Sequence, residues 1–259
     1  MLPYIDLPPL NVSGRWLHWP LLCACVGVLV AHVALLARAR RLALDVSTAG
    51  SMSFFMVVAG LLGARLFKLA YLPGAWSQLS WMDLFAAGGL ASFGGLAGGL
   101  IGALLYFAAR RMSAATALDY LDALAAVFPF GWLFGRLGCS IAHDHPGLAS
   151  GSLFAVAYPD MPRFDLAYLE VFFLVLFLIP LFAVLARRPQ PRGLFLTVFF
   201  LLYGGFRLWL DTLHVDPPRY AGITVDQWAY GSMVLLGVVL AVALRLLRNL
   251  NPLRREVFA

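Results

Sequence analysis

Three arginines sit where the surrounding apolar sequence gives little reason for charge: Arg65, Arg136 and Arg207. An arginine at membrane depth costs ~3 kcal/mol or more and usually has an anionic partner. A planar guanidinium grips a phosphate through two parallel hydrogen bonds, so an anionic phospholipid headgroup is the natural ligand. The plainer expectation for any one of them is snorkelling to the headgroups or pairing inside the bundle. Arg207 and Asp211 have the i, i+4 spacing and share a face if their helix continues that far; Tyr203 and His214 extend the stripe. An internal Arg207–Asp211 ion pair is therefore expected. The segment from Gly135 through Arg136, Gly138, Cys139, His143, Asp144 and His145 to Gly147 reads as a polar, glycine-punctuated loop. Glycines beside Arg136 would let a bulky headgroup approach the backbone. His143 and His145, flanking Asp144, can move protons near neutral pH. Cys139, His143, Asp144 and His145 are also ligand types that zinc accepts. Their spacing matches no common zinc pattern, and the two histidines would face opposite ways in an extended segment, so no metal is expected.

What must position these residues is a set of membrane helices. Of 259 residues, 62% are hydrophobic and 12% charged, about half the charge of a soluble domain. Helices need about 20 apolar residues to cross a bilayer. The sequence offers such runs near 17–37, 48–70, 92–109, 115–134, 166–186, 194–210 and 229–247, an all-α, seven-span chain forming a single transmembrane domain over 1–259. Turn-formers separate them at Leu72-Pro73-Gly74, Pro159 to Pro162, Pro189 to Gly193 and Pro217-Pro218. The stretch from Gly88 to Gly102 is rich in glycine, which suits close helix packing in lipid. The N-terminus lacks a basic region and carries three prolines within Met1 to Leu10, so no cleaved signal peptide is expected. The three cysteines form no disulfide framework.

The net charge of +6 is not a nucleic-acid signature, because the basic residues fall in short clusters between apolar runs. Arg38, Arg40, Arg41, Arg110, Arg111, Arg187, Arg188, Arg192, Arg245, Arg248, Arg254 and Arg255 lie on one side of a seven-span arrangement and make up twelve of the 19 Lys and Arg residues. By the positive-inside rule that side is cytoplasmic, with the N-terminus outside. Arg65, Arg136 and Arg207 then end the three outward-running helices at the outer face.

These residues resemble the prolipoprotein diacylglyceryl transferase family of the bacterial inner membrane. The family's motif reads approximately Gly-Arg-x-Gly-Asn-Phe-x-Asn-Gly-Glu-x-x-Gly, and this chain matches it at Gly135, Arg136, Gly138 and Gly147, with Asp144 for the glutamate. Pro129-Phe130-Gly131 leads into it as the family's Pro-x-Gly does. Gly63-Ala64-Arg65-Leu66 is similar to Gly-Gly-Arg-Leu, and Gly88-Gly89 with Gly94-Gly95 to Gly-Gly-Met-Ser-x-His-Gly-Gly. Tyr203-Gly204 with Arg207 and Asp211 is similar to Tyr-Gly-x-x-Arg-x-x-x-Glu, and Ile223 to Gln227 to Ile-Ser-x-Gly-Gln; Glu170 stands where the family has a glutamate. The match is collinear over roughly residues 15–247. It departs at Phe93 for the histidine, Cys139 and Ala142 for asparagines, and Asp144 and Asp211 for glutamates; the Arg-Trp-Tyr near the start appears as Arg15-Trp16-Leu17-His18.

The resemblance implies transfer of a diacylglyceryl group from phosphatidylglycerol to the thiol of a lipobox cysteine in a prolipoprotein signal peptide, releasing glycerol phosphate, with no cofactor. It implies substrate contacts at Arg65, Arg136, Arg207, Gly135, Gly138, Gly147, Tyr203, Gly94 and Gly95. Arg136 and Arg207 would hold the phosphate and neutralise the departing charge, and Asp211 would orient Arg207 or act as base. With Phe93 in the histidine's place, His143 or His145, aided by Asp144, is the substitute base. Two other readings remain: a phospholipid-headgroup enzyme with another acceptor, and a lipid or solute transporter using the arginines as its anion site. Against transport, the sequence shows no inverted repeat and no paired broken helices.

Overall fold

The structure, a computed structural model, describes residues 1–5, 7–12, 15–68, 91–215, 217 and 219–250. The Leu72-Pro73-Gly74 turn, Gly88, Gly89, Pro218, Arg254 and Arg255 lie outside the described residues, as does the end of the second expected span at 69–70. Among the described residues, seven helices are long and apolar enough to cross a membrane. They are α1 (Trp19–Arg41), α2 (Val46–Lys68), α3 (Ser92–Ala109), α4 (Ala114–Ala142), the composite of α5 (Leu166–Phe173), a π turn (Leu174–Leu178) and α6 (Ile179–Leu185), then α7 (Leu194–Asp211) and α8 (Val225–Leu250). The π turn stands just ahead of Pro180, which has no N–H to offer the ladder. The chain is thus an all-α, seven-span membrane protein.

Glycine sets which helices touch. A Cβ on Gly63 would lie 2.4 Å from the carbonyl oxygen of Gly94, and one on Gly98 would lie 2.5 Å from that of Ala59, so α2 and α3 pack backbone to backbone. Gly27 of α1 and Gly131 of α4 face each other in the same way, each hypothetical Cβ 2.4 Å from the other's carbonyl oxygen. Small residues suit this role in lipid, where helix association depends on close packing rather than on expelling water.

One expectation needs correcting. The segment from Gly135 to Ala142 is not loop but the last two turns of α4, so Arg136, Gly138 and Cys139 project from a helix. Glycine there serves interhelical contact: a Cβ at Gly138 would lie 2.8 Å from Cα of Pro20. The helix ends at His143, a left-handed residue at φ 51°.

Short strands accompany the helices at the end where the N-terminus lies. β1 (Leu10–Val12) pairs with β2 (Arg15–Leu17), and β6 (Arg219–Tyr220) with β7 (Ile223–Thr224). Between α4 and α5, β3 (Pro146–Ala149), β4 (Ala155–Ala157) and β5 (Pro162–Asp165) form an antiparallel sheet in the order β3-β5-β4. The N-terminal segment is tied to it, Leu2 N donating to Ala155 O at 2.8 Å and Ala157 N to Leu2 O at 3.0 Å. Runs this short leave no periodicity for a sequence reading to detect.

Candidate active site

Charge concentrates at the same end of the bundle, around Glu170. This carboxylate, in the second turn of α5, is fully buried. Its Oε1 lies 2.9 Å from Arg136 Nε and accepts from Trp132 Nε1 at 3.0 Å and from the Tyr203 hydroxyl at 2.5 Å. Its Oε2 accepts from Arg207 NH1 at 2.8 Å. Three helices, α4, α5 and α7, are thereby joined by one carboxylate. Arg207 also donates through NH2 to Asp226 of α8 at 3.2 Å, and its guanidinium lies 4.6 Å from the centre of the Tyr230 ring. Arg136 donates to Ser92 at the start of α3 at 2.5 Å and packs over Trp132. A guanidinium this deep requires such partners, since removing either charge alone leaves the other stranded.

A polar cavity of about 250 Å³ opens beside this cluster. Its wall includes Ser92, Asp144, His145, Arg207, Asp211 and His214. Three buried atoms of that wall have no hydrogen-bond partner among the described residues, Nε of Arg207, Oδ1 of Asp211 and the hydroxyl of Tyr230. The other oxygen of Asp211 accepts from the Thr224 hydroxyl at 2.7 Å. Helix α3 begins at the cavity with Ala91 as its N-cap, which supplies no side-chain acceptor, so its first-turn amides and dipole favour an anion there. A second, apolar cavity of about 140 Å³, lined by Leu96, Phe128, Phe199 and Met233 among others, shares Phe93 with the first.

The expected residues divide between these surroundings. Arg207, Asp211, Asp144 and His145 reach the polar cavity; Arg136 and Tyr203 lie behind it on Glu170. Arg207 and Asp211 do not pair with each other, because Glu170 and Asp226 take the guanidinium. Arg65 is half-buried on α2, and the ion pairs of Glu170 go to Arg136 and Arg207. Gly94 is taken up by helix packing, its hypothetical Cβ 2.3 Å from that of Phe67, while Gly95 has ordinary room. Gly135 has open space beside it, Gly138 packs on α1, and Gly147 lies against the carbonyl of Leu213.

The two histidines part company. His145 bonds through Nδ1 to Asp144 at the cavity wall. His143 is buried, with Nδ1 2.8 Å from Asp165 Oδ2 and Nε2 3.3 Å from the Ile5 carbonyl, and it stacks on Tyr4 at 4.1 Å. Asp165 also caps α5 through the amides of Ala167 and Tyr168 and accepts from Tyr158. Burial, followed by the Asp165 charge, pushes the Tyr158 phenol well above its ordinary range, which keeps it a donor. His143 thus ties the end of α4 to α5 and to the N-terminal segment.

Sequence reasoning passed over Glu170 as a site residue, along with Trp132, Ser92, Asp226 and Tyr230. The signal for Glu170 was present: it is the one acidic residue in the apolar run 166–186, and ionisable residues in such runs are rarely without function.

Seven apolar helices among the described residues, with a buried arginine–glutamate cluster and a polar cavity at one end, define an integral membrane protein with a charged site at the end of its bundle. The sequence profile of the prolipoprotein diacylglyceryl transferase family matches residues 10–243. A phosphatidylglycerol–prolipoprotein diacylglyceryl transferase of Chromohalobacter salexigens is 29% identical over 93% of this chain and 92% of its own length. Proteins of the same name from Methylococcus capsulatus and Streptococcus suis are 28% and 30% identical, over 94% and 74% of this chain and 97% and 75% of their own lengths. The chain belongs to the prolipoprotein diacylglyceryl transferase family and is a diacylglyceryl transferase.

Proposed function

We propose that this chain moves the diacylglyceryl group of phosphatidylglycerol onto the thiol of a lipobox cysteine in a prolipoprotein signal peptide, at the outer leaflet of the bacterial inner membrane. The observation that carries this reading is Arg207. It is clamped by Glu170 and Asp226, faces a polar cavity, and keeps a buried Nε without a partner. A phosphodiester supplies the missing acceptor. The α3 amides add positive potential, and the apolar cavity beyond Phe93 suits hydrocarbon, so a charged head with an acyl tail fits the pair. The thiol sulfur attacks the glyceryl carbon next to the phosphate. The C–O bond breaks with its electrons going to the phosphate oxygen, and glycerol phosphate leaves. Arg207 stabilises charge that grows as the bond breaks. Arg136, one bond behind the cavity, holds Glu170 and Ser92 in place. Asp211, with an unpartnered oxygen, takes the thiol proton, and the Asp144–His145 pair forms the facing polar wall.

Mass spectrometry of a lipobox peptide incubated with the protein and phosphatidylglycerol tests this directly. A gain of one diacylglyceryl group on the peptide is the expected result. Headgroup release without peptide modification would point to another acceptor, and no turnover to binding or transport.

The proton assignment predicts an unequal response at the two histidines. Asp211→Asn should lower turnover by about 10²–10⁴, mostly in the chemical step with lipid binding retained, and His145→Ala, which opens the facing wall, should lower it less. His143→Ala should instead lower the melting temperature, since it removes the tie between α4, α5 and the N-terminal segment, and should change turnover far less. A His143→Ala variant that melts normally but turns over poorly reverses the assignment.

Orientation has its own test. A cysteine at Gln190 should resist membrane-impermeant thiol reagents applied outside intact cells, whereas one at Pro217 should react. The opposite pattern places the cavity on the cytoplasmic side.

A further inference from the structure

Cys139, Asp144 and His145 converge at the edge of the polar cavity, although a helix end lies between them. Cys139 sits in the last turn of α4, and the left-handed His143 at φ 51° folds the chain back over that turn. A sulfur, a carboxylate oxygen and an imidazole nitrogen from the three residues all lie within 4.8 Å of one another. The same turn sends His143 away toward Asp165 and Tyr4. The two histidines do face opposite ways, and the donor set forms without His143 because the helix end brings Cys139 beside Asp144 and His145.

We propose that Cys139, Asp144 and His145 bind one divalent ion of the zinc class, leaving a coordination position open beside the cavity that holds Arg207 and Asp211. A tetrahedral zinc ion keeps such donors about 3.3–3.6 Å apart, given bonds of about 2.3 Å to sulfur and about 2.0 Å to nitrogen or oxygen. The present spread, at most 4.8 Å, exceeds that spacing by about 1 Å, which ion binding has to close. A thiolate and an imidazole select zinc or cobalt over magnesium and calcium, which prefer oxygen alone. Thiolate and carboxylate together match the ion's two positive charges. Asp144 is exposed and His145 half-buried, so an ion can enter from the cavity, and three protein donors with one vacancy is the arrangement of reactive rather than structural zinc. The unpartnered Oδ1 of Asp211 on the same wall is a second, independent sign that this cavity receives a ligand.

The open position gives the ion a task, which rests on the transfer reaction proposed above. An acceptor thiol binding there gives up its proton to Asp211 and coordinates as thiolate. Its sulfur then attacks the glyceryl carbon, the phosphate oxygen keeps the bonding electrons, and the thioether product, a poorer ligand, departs.

The test uses full-length protein in detergent with Cys23 and Cys25 replaced by serine, stripped by chelator and titrated with Zn²⁺ or Co²⁺. Elemental analysis should find one zinc per chain, and Co²⁺ should give a thiolate-to-cobalt charge-transfer band in the near ultraviolet. Cys139→Ser should abolish the band and weaken Zn²⁺ binding by about 100-fold or more, and Asp144→Asn should weaken it as well, with melting curves checking that both variants fold. Substoichiometric zinc, no band, or binding unchanged in Cys139→Ser means an adventitious ion only and overturns the site. Lipidation lost on stripping and restored by zinc supports the thiol role; full activity of the stripped protein removes that role while the site stands. Absence of lipidation with and without zinc refutes the transfer reaction and leaves the metal measurement intact.

Discussion

Glu170→Ala should abolish diacylglyceryl transfer and lower the stability of the protein by ~3–5 kcal/mol, the cost of stranding a buried charge when its partner is removed. Both guanidiniums depend on this side chain, Arg136 through one oxygen and Arg207 through the other. Arg207 retains Asp226, but among the described residues Arg136 keeps Ser92, the Trp132 ring and a distant contact with the Cys139 sulfur, none of which carries a full negative charge. The Tyr203 hydroxyl loses its acceptor in the same step. Glu170→Gln separates charge from shape. Its amide oxygen can still receive Trp132 and Tyr203, but its NH₂ then meets the Arg207 donor. Thermal unfolding in detergent should place Gln between wild type and Ala, while lipidation of a lipobox peptide should be lost in both. Wild-type turnover in Glu170→Gln would show that the cluster is only a structural rivet.

At Arg207 the expected loss is mainly catalytic. Arg207→Lys should reduce turnover by about 10²–10³, the usual consequence of removing a donor aimed at developing charge, and Arg207→Ala should reduce it further. The guanidinium spans Glu170 and Asp226 with its two terminal nitrogens and still has Nε to offer. An ammonium is a single point of charge on a flexible stem and cannot hold both carboxylates in that geometry while presenting a third donor. The loss should fall mostly on kcat with phosphatidylglycerol varied, because the charge Arg207 meets is largest as the phosphate departs. Arg136→Lys should cost less than Arg207→Lys, since Arg136 lies behind the cavity and acts through Glu170 and Ser92. If both lysine variants kept wild-type rates, recognition of the phosphate by a guanidinium would be wrong.

The sequence by itself determined the seven spans and the end of the bundle where the charged side chains gather. Span length and apolar content are properties of a contiguous stretch and need no tertiary information, so runs such as 92–109 and 194–210 emerge as α3 and α7 almost unchanged. Arg136, Arg207 and Asp211 were likewise legible, because charge in an apolar run is conspicuous whatever surrounds it. Only the tertiary structure decided the partners. The i, i+4 spacing favoured Arg207 with Asp211, yet rotation and packing of α5 and α8 present Glu170 and Asp226 instead, and Asp211 is left with an unpaired oxygen. Glycines at 135 and 138 suggested a loop, whereas both lie within α4, Gly138 against Pro20 of α1 and Gly135 beside open space. His143 and His145 are equivalent as letters; a single left-handed residue sends one into the protein and the other to the cavity. Pairing among buried charges depends on how helices rotate and pack against one another, and that is settled by backbone contacts far apart in the chain, which no local pattern encodes.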